Sequence, residues 1–329
     1  MDRARRWLLT RLPLAIAAAP LPAAAQPAAK PARIGFLGNS TAALEANLVE
    51  PFRAGLRELG YVEGRNVTIE YRWAEGKYER FPALVAELLA LKVNVLVAAG
   101  TPAALAVKKA TTVVPLVMVA VGDPVATRLV ASLARPGGNL TGLVSIAPDL
   151  EGKRLELLKE VVPKLSHVAF LLNPANAFHV VSEKQAREAA AALHLTVQFV
   201  PVRAEADFDP AFDAILREKP GALVMLADRL FLHHRTRIVD FAARHHLPAI
   251  YAYRELVEAG GLMSFGPSYA GMHRRAAYFV DRILKGAKPG ELPMEQPTQF
   301  ELILNTRTAR TLRLALPPSV LLRASQIID

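Results

Sequence analysis

The chain has no cysteine among its 329 residues. Disulfides, thiolate metal sites, a cysteine nucleophile and a lipid-modified cysteine are therefore excluded together. No G-x-G-x-x-G follows a strand-like run and no Walker lysine loop occurs, so dinucleotide and nucleoside triphosphate chemistry lack their phosphate cradle. Runs of five or six like charges are also missing. The formal net charge is +10, but Arg3, Arg5, Arg6 and Arg11 supply part of it, and later cations are scattered. They read as solvated surface, and a nucleic-acid partner is not expected. No apolar run reaches the roughly 20 residues that cross a bilayer. What is present is enough to fold: 52% apolar against 21% charged residues excludes wholesale disorder, and the length suggests two domains.

Residues 1–25 have a basic start, an apolar stretch broken by Pro13, Pro20 and Pro22, and a small-residue end at Ala23, Ala24 and Ala25. This is the layout of a cleavable secretory signal peptide. Arg5-Arg6-Trp7-Leu8-Leu9 fits a twin-arginine signal as well as an ordinary Arg-rich one. Without cysteine, lipid anchor or later span, the exported chain is expected to be a soluble protein of the periplasm, beginning with a linker at 26–32.

The remainder repeats itself. Residues 33–38 (RIGFLG) and 167–172 (HVAFLL) read as buried strands ended by turn residues. After each comes a helix (44–59; 183–193), a strand (66–72; 196–202) and the dipeptide Ala-Glu at 74–75 or 204–205. Then follow a helix (80–91; 210–217), a strand (93–98; 222–226), a helix (102–111; 233–245) and a strand (115–121; 248–252). Each half is βαβαβαβ. Strands alternating with helices at this spacing predict an α/β fold of two doubly wound, Rossmann-like parallel-sheet domains.

Ligands of such sheets sit beyond the carboxyl ends of the strands. The loops there hold Asn39 and Ser40, Gly100 and Thr101, and Asp123 in the first half. In the second they hold Asn173 and Asn176, Asp228, and Tyr251. Thr101 before Pro102 fits an N-cap and first helical position, leaving an anion-seeking helix end toward the cleft. Asp123 follows the strand 115–121 and Asp228 the strand 222–226; each either holds an ammonium group or caps its own following segment. An anion-seeking helix end and cation-seeking carboxylates across one gap suit a zwitterion such as an amino acid. Phe178, Tyr251, Tyr253 and Phe265 serve either as an apolar wall or as core.

Catalytic readings are weaker. Gly266-Pro267-Ser268-Tyr269-Ala270 misses the G-x-S-x-G elbow by its last residue, and Ser268 fits the N-cap of a helix running through Ile283. The pairs His233-His234 and His245-His246 point about 100° apart on a helix and cannot chelate a metal alone. No catalytic residue, metal or cofactor is expected.

A set of phrases carries a family resemblance: GFLGNS at 35–40, GLRELGYVEGRNVTIEYRWAEG at 55–76, GTPAA at 100–104, VGDPV at 121–125, GGNLTG at 137–142, and GGLMSFG from 260 onward to LPPSVLLRA. Residues 33–328 resemble the periplasmic ABC-type solute-binding proteins of the type I fold, in the branch that binds aromatic amino acids such as tryptophan. The chain also resembles sugar-responsive repressors of that fold, but those carry a helix-turn-helix where this one has its export segment. The resemblance implies three hinge crossings, near 142–146, 263–266 and 292–298. One lobe would hold 33–144 plus 265–292, and the other 145–264 plus 293–329.

It implies a monomeric receptor, not an enzyme, that closes on a small polar solute and presents it to an ABC permease with its ATPase. Thr101, with Gly100, Ser40 and Asn39, would receive a carboxylate. Asp228 and Asp123 would take an ammonium, with Asn173, Asn176, Tyr251 and Phe265 as the far wall. Asp228 stands between Ala227 and Arg229 here, where some relatives carry Thr-Asp-Asn. The alternatives are an exported hydrolase using Ser268 with His273, and a ligand-sensing subunit that docks on a membrane sensor.

Overall fold

The computed structural model describes residues 31–145 and 150–329. The segment read as an export signal lies outside the described residues, as do 26–30 of the linker and residue 146 of the first crossing. Strands β1 (Ala32–Gly38), β2 (Val67–Trp73), β3 (Val95–Ala99), β4 (Leu116–Val121) and β5 (Leu140–Val144) form one parallel sheet, ordered β2-β1-β3-β4-β5. Every residue of β3, β4 and β5 is buried, as in parallel strands covered on both faces. Helices α1 (Ala46–Glu58), α2 (Phe81–Ala90) and α3 (Thr101–Ala110) connect them. Helix α1 buries Leu48, Phe52 and Leu56, one stripe at four-residue spacing.

The second layer begins with α4 (Leu150–Val161), β6 (His167–Leu172), α5 (Phe178–Ala192), β7 (Thr196–Pro201) and α6 (Phe208–Glu218). It continues with β8 (Ala222–Met225), α7 (Arg229–His233), α8 (Arg235–Arg244), β9 (Ala249–Tyr251), α9 (Arg254–Glu258) and β10 (Met263–Pro267). Next come α10 (Tyr269–Leu284), β11 (Phe300–Asn305), α11 (Thr306–Thr311), α12 (Pro318–Arg323) and β12 (Gln326–Ile328). The second sheet is ordered β12-β11-β10-β9-β8-β6-β7. Its β7-β6-β8-β9-β10 portion repeats the order of the first sheet strand for strand. Strand β11 adds antiparallel to β10.

The internal repeat is thus real and one strand longer than the sequence pattern suggests. Two helix boundaries differ from expectation. Helix α5 starts at Phe178 rather than 183, because the Asn176 side chain accepts the Phe178 N–H and starts the turn early. The expected helix 233–245 is α8, which starts at Arg235, and a short helix that was not expected, α7, precedes it, capped by Asp228.

The chain passes between the layers more than once. Helix α10 follows β10 of the second sheet yet packs on α1 and β4 of the first. On the return, Glu295 exchanges backbone hydrogen bonds with Gly142 and Val144 beside β5 (3.0 and 2.9 Å). Residues 31–329 form one compact unit. The ends of β1, β3 and β4 on one side and of β6, β8 and β9 on the other bring their loops together.

Candidate functional site

Between those loops lies a cavity of about 20 Å³. Tyr78, Gly100, Thr101 and Gly122 line it from the first-sheet side, and Tyr269 from the start of α10. Asn176, Phe178, Asp228, Arg229 and Tyr253 face them from the second-sheet side. A water occupies roughly 10–15 Å³ on this measure, and ligand pockets run to about 300–1,000 Å³, so a solute enters only if the two sides part. Larger hollows of about 440 Å³ beside residues 295–299 and about 530 Å³ between α1 and edge strand β2 are lined by none of these residues.

Contacts across the gap are short and polar. Tyr78 donates to Asp228 Oδ1 (2.6 Å), and the Leu230 N–H donates to the Tyr78 hydroxyl (3.2 Å). Asn47 donates to Glu255 Oε1 (2.6 Å), and Ser40 Oγ meets His233 Nδ1 (2.6 Å). Burial lowers the pKa of His233, which keeps its ring neutral near pH 7. Two glycines let the sides approach this closely. A Cβ on Gly122 would stand 2.0 Å from Phe178 Cγ. One on Gly76, already at φ +76°, would stand 2.8 Å from His233 Cδ2.

Asp228 is 1% exposed and fully engaged by this chain. Oδ1 accepts from Tyr78, from the Leu230 N–H (3.0 Å) and from Asn173 Nδ2 (3.2 Å); Oδ2 accepts from Asn176 Nδ2 (2.8 Å). With about two lone-pair sites per oxygen, Oδ1 is crowded by three donors, while Oδ2 holds one and stands 3.9 Å from His179 Nε2. Behind it, His179 Nδ1 accepts the Asn173 N–H (2.7 Å), so Nε2 carries the proton toward the Ala227 carbonyl (3.1 Å).

Arg229 is the reverse case. It is 3% exposed, yet neither terminal nitrogen has a hydrogen-bond partner among the described residues. Its guanidinium carbon lies 5.4 Å from the Tyr253 ring centre and 5.2 Å from that of Tyr269, within reach of cation–π attraction. Burial opposes its charge, but Tyr253, Glu45, Tyr269 and Glu255 more than compensate and raise its pKa. Glu45, buried beside the Asn39 and Ser40 N–H groups, has its own pKa raised by burial against the pull of Arg229.

Of the residues singled out from sequence, Gly100, Thr101, Asn176, Phe178, Asp228 and Tyr253 line the cavity, and Asn173 braces Asp228. Thr101 is not the N-cap. Gly100, at φ +82°, takes that position, and the Thr101 hydroxyl accepts the Gly122 N–H (3.0 Å). Asp123 does not line the cavity; it accepts from the Val125 and Ala126 N–H groups and shapes its own turn. Asn39 and Ser40 are buried one layer back, where the Asn39 amide donates to the Ala99 carbonyl.

Tyr251 is wholly buried, with its ring against Gly261, and Phe265 stacks on Phe300; neither lines the cavity. Sequence reasoning missed Tyr78, Arg229 and Tyr269. The available signal was Arg229 itself, an arginine between two apolar stretches where an exposed cation would be out of place. The Ser268–His273 pair is not a nucleophile and base. Ser268 Oγ caps α10 through the Gly271 N–H, while His273 Nδ1 bonds the Tyr269 carbonyl (2.8 Å).

Residues 41–328 match the family model described as ABC transporter substrate binding protein. The chain belongs to the ABC transporter substrate-binding proteins. Among curated members, a tyrosine-binding protein of Clostridioides difficile is 25% identical over 79% of this chain and 75% of its own length. A solved domain of a Streptococcus pneumoniae protein in complex with L-Trp is 25% identical, with a TM-score of 0.84 over 91% of this chain and all of that one. A conserved domain protein of Vibrio cholerae is 29% identical, with a TM-score of 0.85 over the same shares. The two-sheet architecture of this substrate-binding protein is that of type I periplasmic binding proteins. Among its described residues no helix is long and apolar enough to cross a membrane.

Proposed function

We propose that the chain is the periplasmic receptor of an ABC importer, taking a small carboxylate-bearing solute between two lobes. The lobes are residues 33–144 plus 265–292 and residues 145–264 plus 293–329, turning about the crossings near 142–146, 263–266 and 292–298. The closed form docks on a membrane permease served by its ATPase. One observation carries the reading: Arg229, buried at the closing interface, keeps both terminal nitrogens free of partners among the described residues. A desolvated guanidinium without hydrogen bonds is costly, and a solute carboxylate supplies a bidentate, charge-assisted pair.

Relatives named for tyrosine and solved with L-Trp support amino-acid-like skeletons as the first solutes to try. Contacts to both lobes exist only when they meet, so the solute shifts an open–closed equilibrium by its differential affinity for the closed form. Binding needs no bond to break. X-ray scattering and calorimetry on the exported chain test this with a panel of carboxylates. Saturable binding with a smaller radius of gyration and recovery of intact solute is expected. Unchanged dimensions and no heat across the panel refute it.

A further inference from the structure

The two charged residues at the cavity are in opposite conditions, and that difference has a chemical meaning. Asp228 is already engaged by four donors: Tyr78, the Leu230 N–H and Asn173 crowd Oδ1, and Asn176 holds Oδ2. An ammonium arriving there meets four donors gathered on one buried carboxylate. Arg229, next in sequence and also lining the cavity, has donors and no acceptor. Glu255 does keep an unpartnered oxygen, but it does not line the cavity, and its other oxygen is held by Asn47. Among the described residues, the cavity thus offers unpartnered donors to a carboxylate, whereas the one carboxylate that lines it is already engaged by four donors.

We propose that this site selects carboxylic acids that lack an α-ammonium group, with Arg229 as the residue that sets this preference. The inference rests on the carboxylate-solute reading above and narrows it. A buried ammonium without an acceptor is penalised, whereas replacing it by hydrogen removes the penalty and leaves the Arg229 contact intact. Discrimination of about tenfold or more in favour of the desamino acid is expected.

The test compares matched pairs by calorimetry on the exported full chain: 3-(4-hydroxyphenyl)propionate against L-tyrosine, indole-3-propionate against L-tryptophan, and 4-methylpentanoate against L-leucine. Tighter binding of the desamino member, with closure seen by scattering, supports the proposal. Equal or tighter binding of the amino acid, with closure, overturns it and leaves the receptor reading standing. If no member of any pair binds, both fall. Arg229→Gln should weaken the preferred acid by roughly a hundredfold and flatten the discrimination, while Arg229→Lys retains part of each. The wild-type pairs decide the matter even if both variants fail to fold. Arg229→Gln with unchanged affinity and discrimination also overturns the assignment.

Discussion

His273 makes acid stability a direct test of how the interior is arranged. Its ring is 0% exposed, with Nδ1 donating to the Tyr269 carbonyl and Nε2 without a partner. Burial, reinforced by the positive charge of Arg229, pushes its pKa from 6.5 down to about 3. The folded pKa is depressed below the unfolded value. As pH falls through about 6.5 the unfolded chain takes up a proton that the folded chain refuses, and stability drains away down to about pH 3. At about 1.4 kcal/mol per pH unit, the loss from this one residue between about pH 6.5 and 4.5 approaches 3 kcal/mol.

For a chain of this size that loss lowers Tm by roughly 5 °C or more. Glu45, whose pKa is raised by burial, acts with the opposite sign: its neutral form is favoured in the fold, so its penalty shrinks as pH falls. The His273→Leu variant separates the two. Urea titrations at several pH values should show the parent losing stability about 3 kcal/mol faster than the variant over that window. Parallel losses in parent and variant would refute the account of His273 as a buried neutral ring.

Gly122→Ala places a methyl where the Phe178 ring now lies, so scattering should report a more open average, and adding Phe178→Ala should restore closure. Tyr78→Phe removes one donor from Asp228 and both hydrogen bonds that the hydroxyl makes across the gap. Paired calorimetry should then show weaker closure together with a smaller preference for desamino acids over amino acids. Asp228→Ala strips the α7 cap and leaves Tyr78, Asn173 and Asn176 without their acceptor, and urea unfolding should register a loss of about 2–4 kcal/mol.

The order of strands and helices was legible in the sequence because buried parallel strands read as short apolar runs, and the phrases after β2 and β7 repeat. Strands β5 and β10 were not read, since Leu140–Val144 is short and contains a glycine, and Met263–Pro267 ends in glycine and proline. The site was legible by loop and less so by side chain. Asp228 and Asn176 could be placed at strand ends, but whether a carboxylate there is open or saturated depends on Tyr78, 150 residues away in the chain. Tyr251 and Phe265 were misjudged because a strand-end aromatic looks the same in sequence whether it faces a cleft or its own core.

The swap of helices between layers also constrains how the chain is made. Helix α1 packs its stripe of Leu48, Phe52 and Leu56 both with Phe36 of β1, whose ring lies 5.8 Å from that of Phe52, and with α10, so its cover is complete only once residues 269–284 have been synthesised. The first layer therefore completes its packing late in synthesis. Contacts so distant in sequence raise the entropic cost of closing that layer and make its final step depend on the whole chain.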